Sequence, residues 1–224
     1  MVKFIEIERS QIKEDVNDMF ALVIKQIEQA STALLSMDKG IASQVIVFEH
    51  KVNSFELKIT KEIEDYIALY NPVAIDLRFM LSLLQMTMDL ERIGDYARSM
   101  ARFVKETEMK ELNPELVEKT QLKKMIQQVL AMLKTMQVAF TEENAELAHT
   151  IFDKDDLIDH IRTLSTDILA DYMVNQIPDT SAKICLQLQD VFRKLERTGD
   201  HITNMAEEFI FYLDAKVLKH QKKR

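Results

Sequence analysis

The chain has 224 residues, of which 47% are hydrophobic and 29% charged, with three glycines, three prolines and a net charge of −8 at pH 7. This apolar content favours a packed core over disorder, and so few glycines argue against turn-rich folds and glycine-rich phosphate loops. A negative net charge argues against nucleic-acid partners, because phosphate binding needs clustered lysines and arginines. The N-terminus lacks the apolar core of a signal peptide, and no window approaches 18 uninterrupted apolar residues. A soluble, cytoplasmic protein is therefore expected.

The first half carries the pattern of three helices. Apolar side chains recur every three or four residues from Ile12 to Leu34 and again from Val45 to Ile67, which is the spacing of one helical face. The segment Met37-Asp38-Lys39-Gly40 separates these two stretches. Asn71 followed by Pro72 predicts the start of a third helix, with Asn71 as its N-cap.

The second half repeats this pattern. Asn113 and Pro114 predict the start of a fourth helix that reaches Phe140, and Thr141-Glu142-Glu143 is expected to cap a fifth. Pro178 is expected to open the sixth. Six long helices joined by short turns predict an all-α protein made of two similar antiparallel three-helix bundles, one over residues 1–110 and one over residues 111–224.

One short motif occurs in the last helix of each half. The segments Glu91-Arg92-Ile93-Gly94-Asp95 and Glu196-Arg197-Thr198-Gly199-Asp200 share four of five residues. A glycine inside a helix costs about 1 kcal/mol relative to alanine, and like charges at positions i and i+4 are unfavourable. On a helix, each motif puts two carboxylates on one face, and the glycine clears space for another backbone or an ion.

The second helix of each half supplies two further oxygen donors, Glu49 and Asn53 in one and Asp155 and Asp159 in the other. If the second and third helices of each bundle face each other, two sets of oxygen ligands result. The first set is Glu49, Asn53, Glu91 and Asp95, and the second set is Asp155, Asp159, Glu196 and Asp200. Oxygen ligands suit Mg, Ca, Mn or iron better than zinc or copper.

Other interpretations of these residues stay open. A single E-x-x-x-D on a charged helix is usually a solvated face, the glycines can serve a close helix crossing, and Arg92 lies within helical ion-pair range of Asp89. His50, His160 and His201 each follow a motif acid, but a neighbour in sequence is rotated about 100° around the helix, so they are interpreted as flanking surface residues.

An enzyme is the competing class of function. A carboxylate-bridged di-metal centre for phosphoester hydrolysis or oxygen chemistry would use the same acids. Glu146-x-x-His149 is one half of the ferritin-like di-iron signature, which needs two such motifs, and the sequence carries one. The chain also lacks a nucleotide-binding loop and an activated nucleophile.

The duplicated E-R-x-G-D helices resemble those of the PhoU family, the phosphate-specific transport accessory proteins. Asp76-Leu77-Arg78 near the start of the third helix resembles the family too, as do Val52-Asn53 and Ile158-Asp159 in the second and fifth helices. The resemblance covers essentially the whole chain. It implies two three-helix bundles and multinuclear clusters of iron or zinc bound through the E(D)-x-x-x-D motifs.

The resemblance also implies which residues bind metal. Glu91, Asp95, Glu196 and Asp200 match the family motifs, supported by Asp155 and Asp159. Asn204 matches the family's asparagine after the second motif, whereas the first half has Ser99 there. The first half also has Glu49 and Asn53 where acids are common in the family. Fewer charges imply weaker metal binding in the first half.

Members of the family act as negative regulators of the phosphate-starvation response. The resemblance therefore implies a regulator rather than a catalyst, which links the ATPase subunit of a phosphate ABC transporter to a sensor histidine kinase. It further implies a homodimer that reaches the membrane only peripherally, through its partners. A long acidic molecule with extended helical faces is compatible with binding other helical proteins.

Overall fold

The computed structural model describes residues 2–175 and 179–214, and all of the regular structure in those ranges is helical. The helices are α1 (Val2–Ser36), α2 (Lys39–Tyr70), α3 (Ala74–Glu106), α4 (Pro114–Lys119), α5 (Leu122–Glu142), α6 (Ala145–Asn175) and α7 (Asp179–Asp214). The predicted all-α class is confirmed. None of the helices in the described ranges is long and apolar enough to cross a membrane. Pro178 lies outside the described residues, directly before the start of α7.

The long helices form the two predicted bundles. Helices α1, α2 and α3 pack against one another, and so do α5, α6 and α7. Because consecutive long helices are joined by short connections, neighbours run antiparallel. The bundles are joined where α3 packs against α7 and α1 against α5, and the buried apolar side chains form one continuous core. The division at residue 110 falls in the connection between α3 and α4 and stays a prediction.

The predicted break between α1 and α2 is confirmed. Met37 has a positive φ of 52°, and the Asp38 carboxylate accepts hydrogen bonds from the backbone N–H groups of Gly40 and Ile41 at 2.7 and 3.0 Å. The carboxylate therefore satisfies two N–H groups that have no partner within the helix.

The prediction that Asn71 caps the start of α3 is wrong. Asn71 instead ends α2: its φ is 44°, and its N–H donates to the carbonyl of Ile67. Proline disfavours the right-handed helical conformation in the residue before it, and asparagine tolerates the left-handed one, so the helix stops before Pro72. Helix α3 begins later, at Ala74.

The predicted fourth helix is interrupted. The Asn113 side chain caps its start as expected, accepting from the N–H groups of Glu115 and Leu116, with Pro114 in the first turn. Helix α4 then ends after six residues, because Gln121 adopts a left-handed conformation with φ 53°. The same apolar face resumes in α5, which is why the spacing of apolar residues does not reveal the break.

The predicted cap at Thr141-Glu142-Glu143 is also wrong. Helix α5 continues through Glu142, and Glu143 ends it with a φ of 51°. The side chain of Asn144 accepts from the N–H of Leu147 at 2.9 Å and so caps α6. A short polar side chain does this better than glutamate, which is not among the preferred N-caps.

Candidate metal sites

Helices α6 and α7 come very close at Gly199. Gly199 is buried, and a Cβ atom on it would stand 2.7 Å from Oδ1 of Asp155 and 3.1 Å from Cδ1 of Ile158, both on α6. The space left by the missing side chain is filled by α6. The glycine therefore serves a close helix crossing, and this crossing puts Asp155 beside the motif Glu196–Asp200.

The four acids of the second set are electrostatic neighbours. The pKa of the Asp155 carboxyl is raised to about 7, chiefly by burial and then by the charges of Asp159, Asp200, Asp156 and Glu196, in that order. Each of these four charges contributes because a nearby like charge disfavours the ionised carboxylate. The structure thus brings together the residues that the sequence pattern predicted for this set.

Burial is also the largest cause that raises the pKa of Glu196 and of Asp200. The next cause is the charge of Asp200 for Glu196 and that of Asp159 for Asp200. Arg162 and Arg197 oppose the shift of the Glu196 pKa, and His201 and Arg197 oppose that of Asp200. In the described part of the chain, no salt bridge includes a member of the second set. Four acids therefore share a region without a directly paired cation.

The donor chemistry of the second set fits a hard cation, since carboxylate oxygens are the preferred ligands of Mg, Ca and Mn. As the side chains stand, however, the described residues contain no group of three or more His, Cys, Asp or Glu that could hold one ion. Convergence on a single ion would need rotation of the side chains about their own bonds. Metal binding by the second set stays a prediction.

The first set lies at a similar crossing, between α2 and α3. Gly94 is buried, and a Cβ atom on it would stand 3.2 Å from Cγ1 of Val52 on α2 and 3.0 Å from Oε1 of Gln26 on α1. Gln26 is fully buried, and its amide has no hydrogen-bond partner. This glycine therefore also makes room for a neighbouring helix, but the group it admits is an amide rather than a carboxylate.

An arginine joins two members of the first set. Nη1 of Arg98 on α3 contacts Oε1 of Glu49 on α2 and lies 3.2 Å from Oδ1 of Asp95. Nδ2 of Asn53 lies 3.2 Å from the same Glu49 oxygen, and Glu49 is only 5% exposed. Arg98 is not among the residues that the sequence pattern predicted for this set. Its position three residues after Asp95 is the available signal, because residues at that spacing are neighbours on a helix.

Glu91, the remaining member of the first set, stands apart from Arg98. Burial is the main cause that raises the pKa of its carboxyl, Asp95 adds to this, and Arg92 opposes it. The Arg92 guanidinium lies 3.6 Å from Glu91 and 3.9 Å from Asp95. Arg92 thus reaches the acids of its own motif, and the suggested pair with Asp89 is not formed.

Asp89 instead binds a histidine of the other bundle. It is 3% exposed, and its Oδ1 lies 2.7 Å from Nδ1 of His201 on α7. Nε2 of the same ring lies 3.3 Å from the hydroxyl of Tyr96 on α3. His201 is therefore not a flanking surface residue: it joins α3 to α7. His50 and His160 are exposed, as predicted.

Two cavities lie away from both sets, next to α4. One of about 550 Å³ is lined by residues that include Leu112 and Lys124, and one of about 320 Å³ by residues that include Asp171 and Tyr172. No candidate ligand lines either cavity. The acids of the two sets thus lie at helix crossings, outside these two pockets.

Comparison with known proteins gives a family match in both halves. The model of the PhoU domain matches residues 16–104 and again residues 122–209. The chain is 29% identical over 221 residues to the phosphate-specific transport system accessory protein PhoU homolog 1 of Thermotoga maritima, covering 98% of this chain and 94% of the relative. It is 31% identical to a PhoU homolog of Pseudomonas aeruginosa, over 95% of this chain and 86% of that protein.

Solved structures share the fold as well. The phosphate transport system regulatory protein PhoU from Streptococcus pneumoniae superposes with a TM-score of 0.86 at 26% identity, over 96% of this chain and 99% of that one. PhoU from Pseudomonas aeruginosa gives a TM-score of 0.84 at 28% identity, over 94% and 99% of the two chains. The similarity therefore extends over both bundles.

Proposed function

Because this chain belongs to the PhoU family, we propose that it is a negative regulator of phosphate uptake and of phosphate-starvation signalling. Family membership assigns it an accessory, regulatory role in phosphate transport. The observation that carries the proposal is similarity along nearly the whole chain to a protein described as a phosphate transport system regulator. Because that similarity includes both bundles, the proposed regulatory unit consists of the two bundles together.

We infer that the chain acts by binding rather than by catalysis. Its partners in this proposal are the ATPase subunit of a phosphate ABC transporter and a sensor histidine kinase, between which it serves as an adaptor. A cytoplasmic homodimer that meets the membrane through these partners completes the proposal.

Metal binding by the second set is part of the same proposal. Asp155, Asp159, Glu196 and Asp200 would hold the ion, and their mutual repulsion would fall when a cation binds. The ion would bind α6 to α7 at their crossing and so stabilise the second bundle. Iron, zinc, manganese, magnesium and calcium are the candidate ions.

Recovery of the partners tests the adaptor role. The full chain, carrying an affinity tag, is expected to retain the transporter ATPase and the sensor kinase from cells grown with high phosphate. The same recovery is measured for Asp155→Asn/Asp200→Asn, which removes two charges of the second set. Glu115→Gln, which removes one charge at an exposed ion pair, is the control variant. Recovery of neither partner, in high or low phosphate, would overturn the adaptor role.

Phosphate uptake tests the regulatory role separately. Cells that lack this chain are expected to take up labelled phosphate faster than wild-type cells when phosphate is abundant, because a negative regulator has been removed. Restoring the gene should restore the lower rate. Equal uptake rates in the presence and absence of the gene would overturn the proposal of negative regulation.

A further inference from the structure

The two sets occupy equivalent positions but differ in charge. Each has two acids on its E-x-x-x-D motif, but Asn53 in the first set stands where the second has Asp159. Arg98 lies four residues after Gly94, and Thr203 lies four residues after Gly199. With every carboxyl ionised, the first set together with Arg98 therefore carries a formal charge of minus two, and the second set together with Thr203 carries minus four.

Arg98 is held inside the first set by two of its acids. Its guanidinium contacts the nearly buried Glu49 on α2 and lies 3.2 Å from Asp95 on its own helix. Asn53 adds a neutral donor 3.2 Å from the same Glu49 oxygen. A guanidinium has a planar array of donors that suits carboxylates and keeps its charge at every physiological pH. Glu49 is thus neutralised by the chain itself.

Thr203 has no such function in the second set. Its hydroxyl donates to the backbone carbonyl of Asp200 at 2.8 Å, within its own helix, and its side chain carries no charge. The side chain therefore cannot neutralise Asp155, which lies against Gly199 at the crossing. The second crossing is built like the first, but among the described residues no arginine or lysine forms an ion pair with its acids.

We propose that Arg98 takes the place of a metal ion in the first bundle, so that this chain binds metal at the second set only. A divalent ion in the first set would have to displace a guanidinium from Glu49 and Asp95, or share those carboxylates with a like charge. The inference rests on the proposed function for metal binding by the second set. It adds that α2 is held to α3 permanently, whereas the attachment of α6 to α7 responds to metal.

Mn²⁺ binding by variants of Arg98 and of the acids in the two sets tests this proposal. The purified full chain is dialysed against a chelator, then titrated with Mn²⁺, and bound metal is counted by elemental analysis. In the wild type, bound Mn²⁺ should be lost in Asp155→Asn/Glu196→Gln and kept in Glu91→Gln. Arg98→Thr copies the residue of the second half and should bind additional Mn²⁺, which Glu91→Gln should then abolish.

Two further substitutions at the same helix serve as matched controls. Arg98→Lys keeps the positive charge and should bind no additional Mn²⁺. Arg102→Thr removes an exposed arginine one turn further along α3 and should also leave the metal count unchanged. An additional ion bound by either variant would contradict a specific role for the positive charge at position 98.

Loss of Arg98 leaves Glu49 buried beside other acids, so Arg98→Thr is expected to melt at a lower temperature without Mn²⁺ and to recover when Mn²⁺ is added. Arg98→Gln, which keeps most of the side-chain volume, is measured as a second variant in case Arg98→Thr does not fold. If Arg98→Thr or Arg98→Gln folds and binds no additional Mn²⁺, the proposal is overturned. It is also overturned if the Mn²⁺ bound by the wild type disappears in Glu91→Gln.

The reciprocal exchange gives a second, independent test. Thr203→Arg brings a guanidinium to the second set and should weaken its Mn²⁺ affinity at least tenfold, and an unchanged affinity overturns the proposal. If the wild type binds no Mn²⁺ at all, metal binding by the second set is refuted. The role of Arg98 is then decided by Arg98→Thr and Arg98→Gln alone: newly bound Mn²⁺ in these variants supports it, and its absence overturns it.

Discussion

Oδ1 of Asp155 lies 2.7 Å from the point where a Cβ atom on Gly199 would stand. Real side chains essentially never come so close, so an alanine at position 199 must push the carboxylate away. The position of Asp155 at the centre of the second set is therefore coupled to the absence of a side chain on α7. This coupling can be measured through both stability and metal affinity.

We expect Gly199→Ala to lower the free energy of unfolding by about 1 kcal/mol. Overpacking at a tight contact costs about 1–3 kcal/mol, and the better helix propensity of alanine returns about 1 kcal/mol. Mn²⁺ affinity should fall several-fold, because Asp155 is displaced from the acids that would share the ion. Urea denaturation and Mn²⁺ titration measure the two effects.

Gly94→Ala is the matched control for this substitution. A Cβ atom there would meet Gln26 and Val52 at 3.0 and 3.2 Å, so a similar loss of stability is expected. Neither neighbour belongs to the second set, and Mn²⁺ affinity should not change. An equal loss of Mn²⁺ affinity in both variants would mean that the effect of Gly199→Ala is general rather than local.

The raised pKa of Asp155 predicts how the metal-free protein responds to pH. In the unfolded chain this carboxyl loses its proton near pH 4, whereas in the folded protein its pKa is about 7. Between these pH values the folded state holds a proton that the unfolded state has lost. The free energy of unfolding should therefore fall as pH rises from 4 to 7. At higher pH this group should cause no further change in the free energy of unfolding.

Asp155→Asn removes this contribution. After allowance for solvent screening at a partly exposed group, the variant should be more stable than the wild type by about 1–2 kcal/mol at pH 8, with little difference at pH 4. Urea denaturation with a chelator present measures both values. Asp18→Asn removes one negative charge at an exposed position on α1. If Asp18→Asn raises the free energy of unfolding at pH 8 by the same amount, the effect comes from the net charge and not from the position of Asp155.

The fold follows from sequence more completely than the helix ends do. Long runs of apolar residues at helical spacing must be buried, and short polar breaks leave antiparallel packing as the simplest way to bury them. The ends are harder, because the same side chain can serve either terminus. Asn71 before Pro72 has the composition of a helix start, yet it ends α2 since asparagine accepts a left-handed conformation.

In the candidate sites too, the sequence predicts some features and not others. Recurrence of the costly glycine beside two acids marks a special position on each helix. Of the two interpretations that the sequence leaves open, the structure shows the close helix crossing, and metal binding stays a prediction. The role of Arg98 could not be read from its own helix. It depends on the burial of Glu49 on α2, and that burial is set by how the two helices rotate against each other.

The contact between Asp89 and His201 is expected to stabilise the junction of the two bundles. Asp89→Ala should lower the free energy of unfolding by about 2–3 kcal/mol, since a buried hydrogen-bonded charged group is lost from the interface of α3 and α7. His201→Ala should cost a similar amount, because it leaves the Asp89 carboxylate buried without its partner. Urea denaturation of each variant measures these values.

The double variant decides whether the two residues act together. Asp89→Ala/His201→Ala should cost less than the sum of the single variants by about 1–2 kcal/mol, as for groups in direct contact. Glu115→Ala, which breaks an exposed pair with Lys119, should change the free energy of unfolding little, because solvent screens such pairs. Additive losses at Asp89 and His201 would show that the contact contributes nothing of its own.

The break between α4 and α5 predicts a stabilising substitution. Gln121 holds a left-handed conformation with φ 53°, which costs a residue with a side chain about 1 kcal/mol and costs glycine almost nothing. Gln121→Gly should therefore raise the free energy of unfolding by about 0.5 kcal/mol, because glycine's greater freedom in the unfolded chain offsets part of the gain. Gln127→Gly, at an exposed position inside α5, should lower it by about 1 kcal/mol. Urea denaturation of the two variants compares them directly. If both glycines destabilise equally, the chain is helical at Gln121 in solution, and α4 and α5 form the single helix that the apolar spacing predicts.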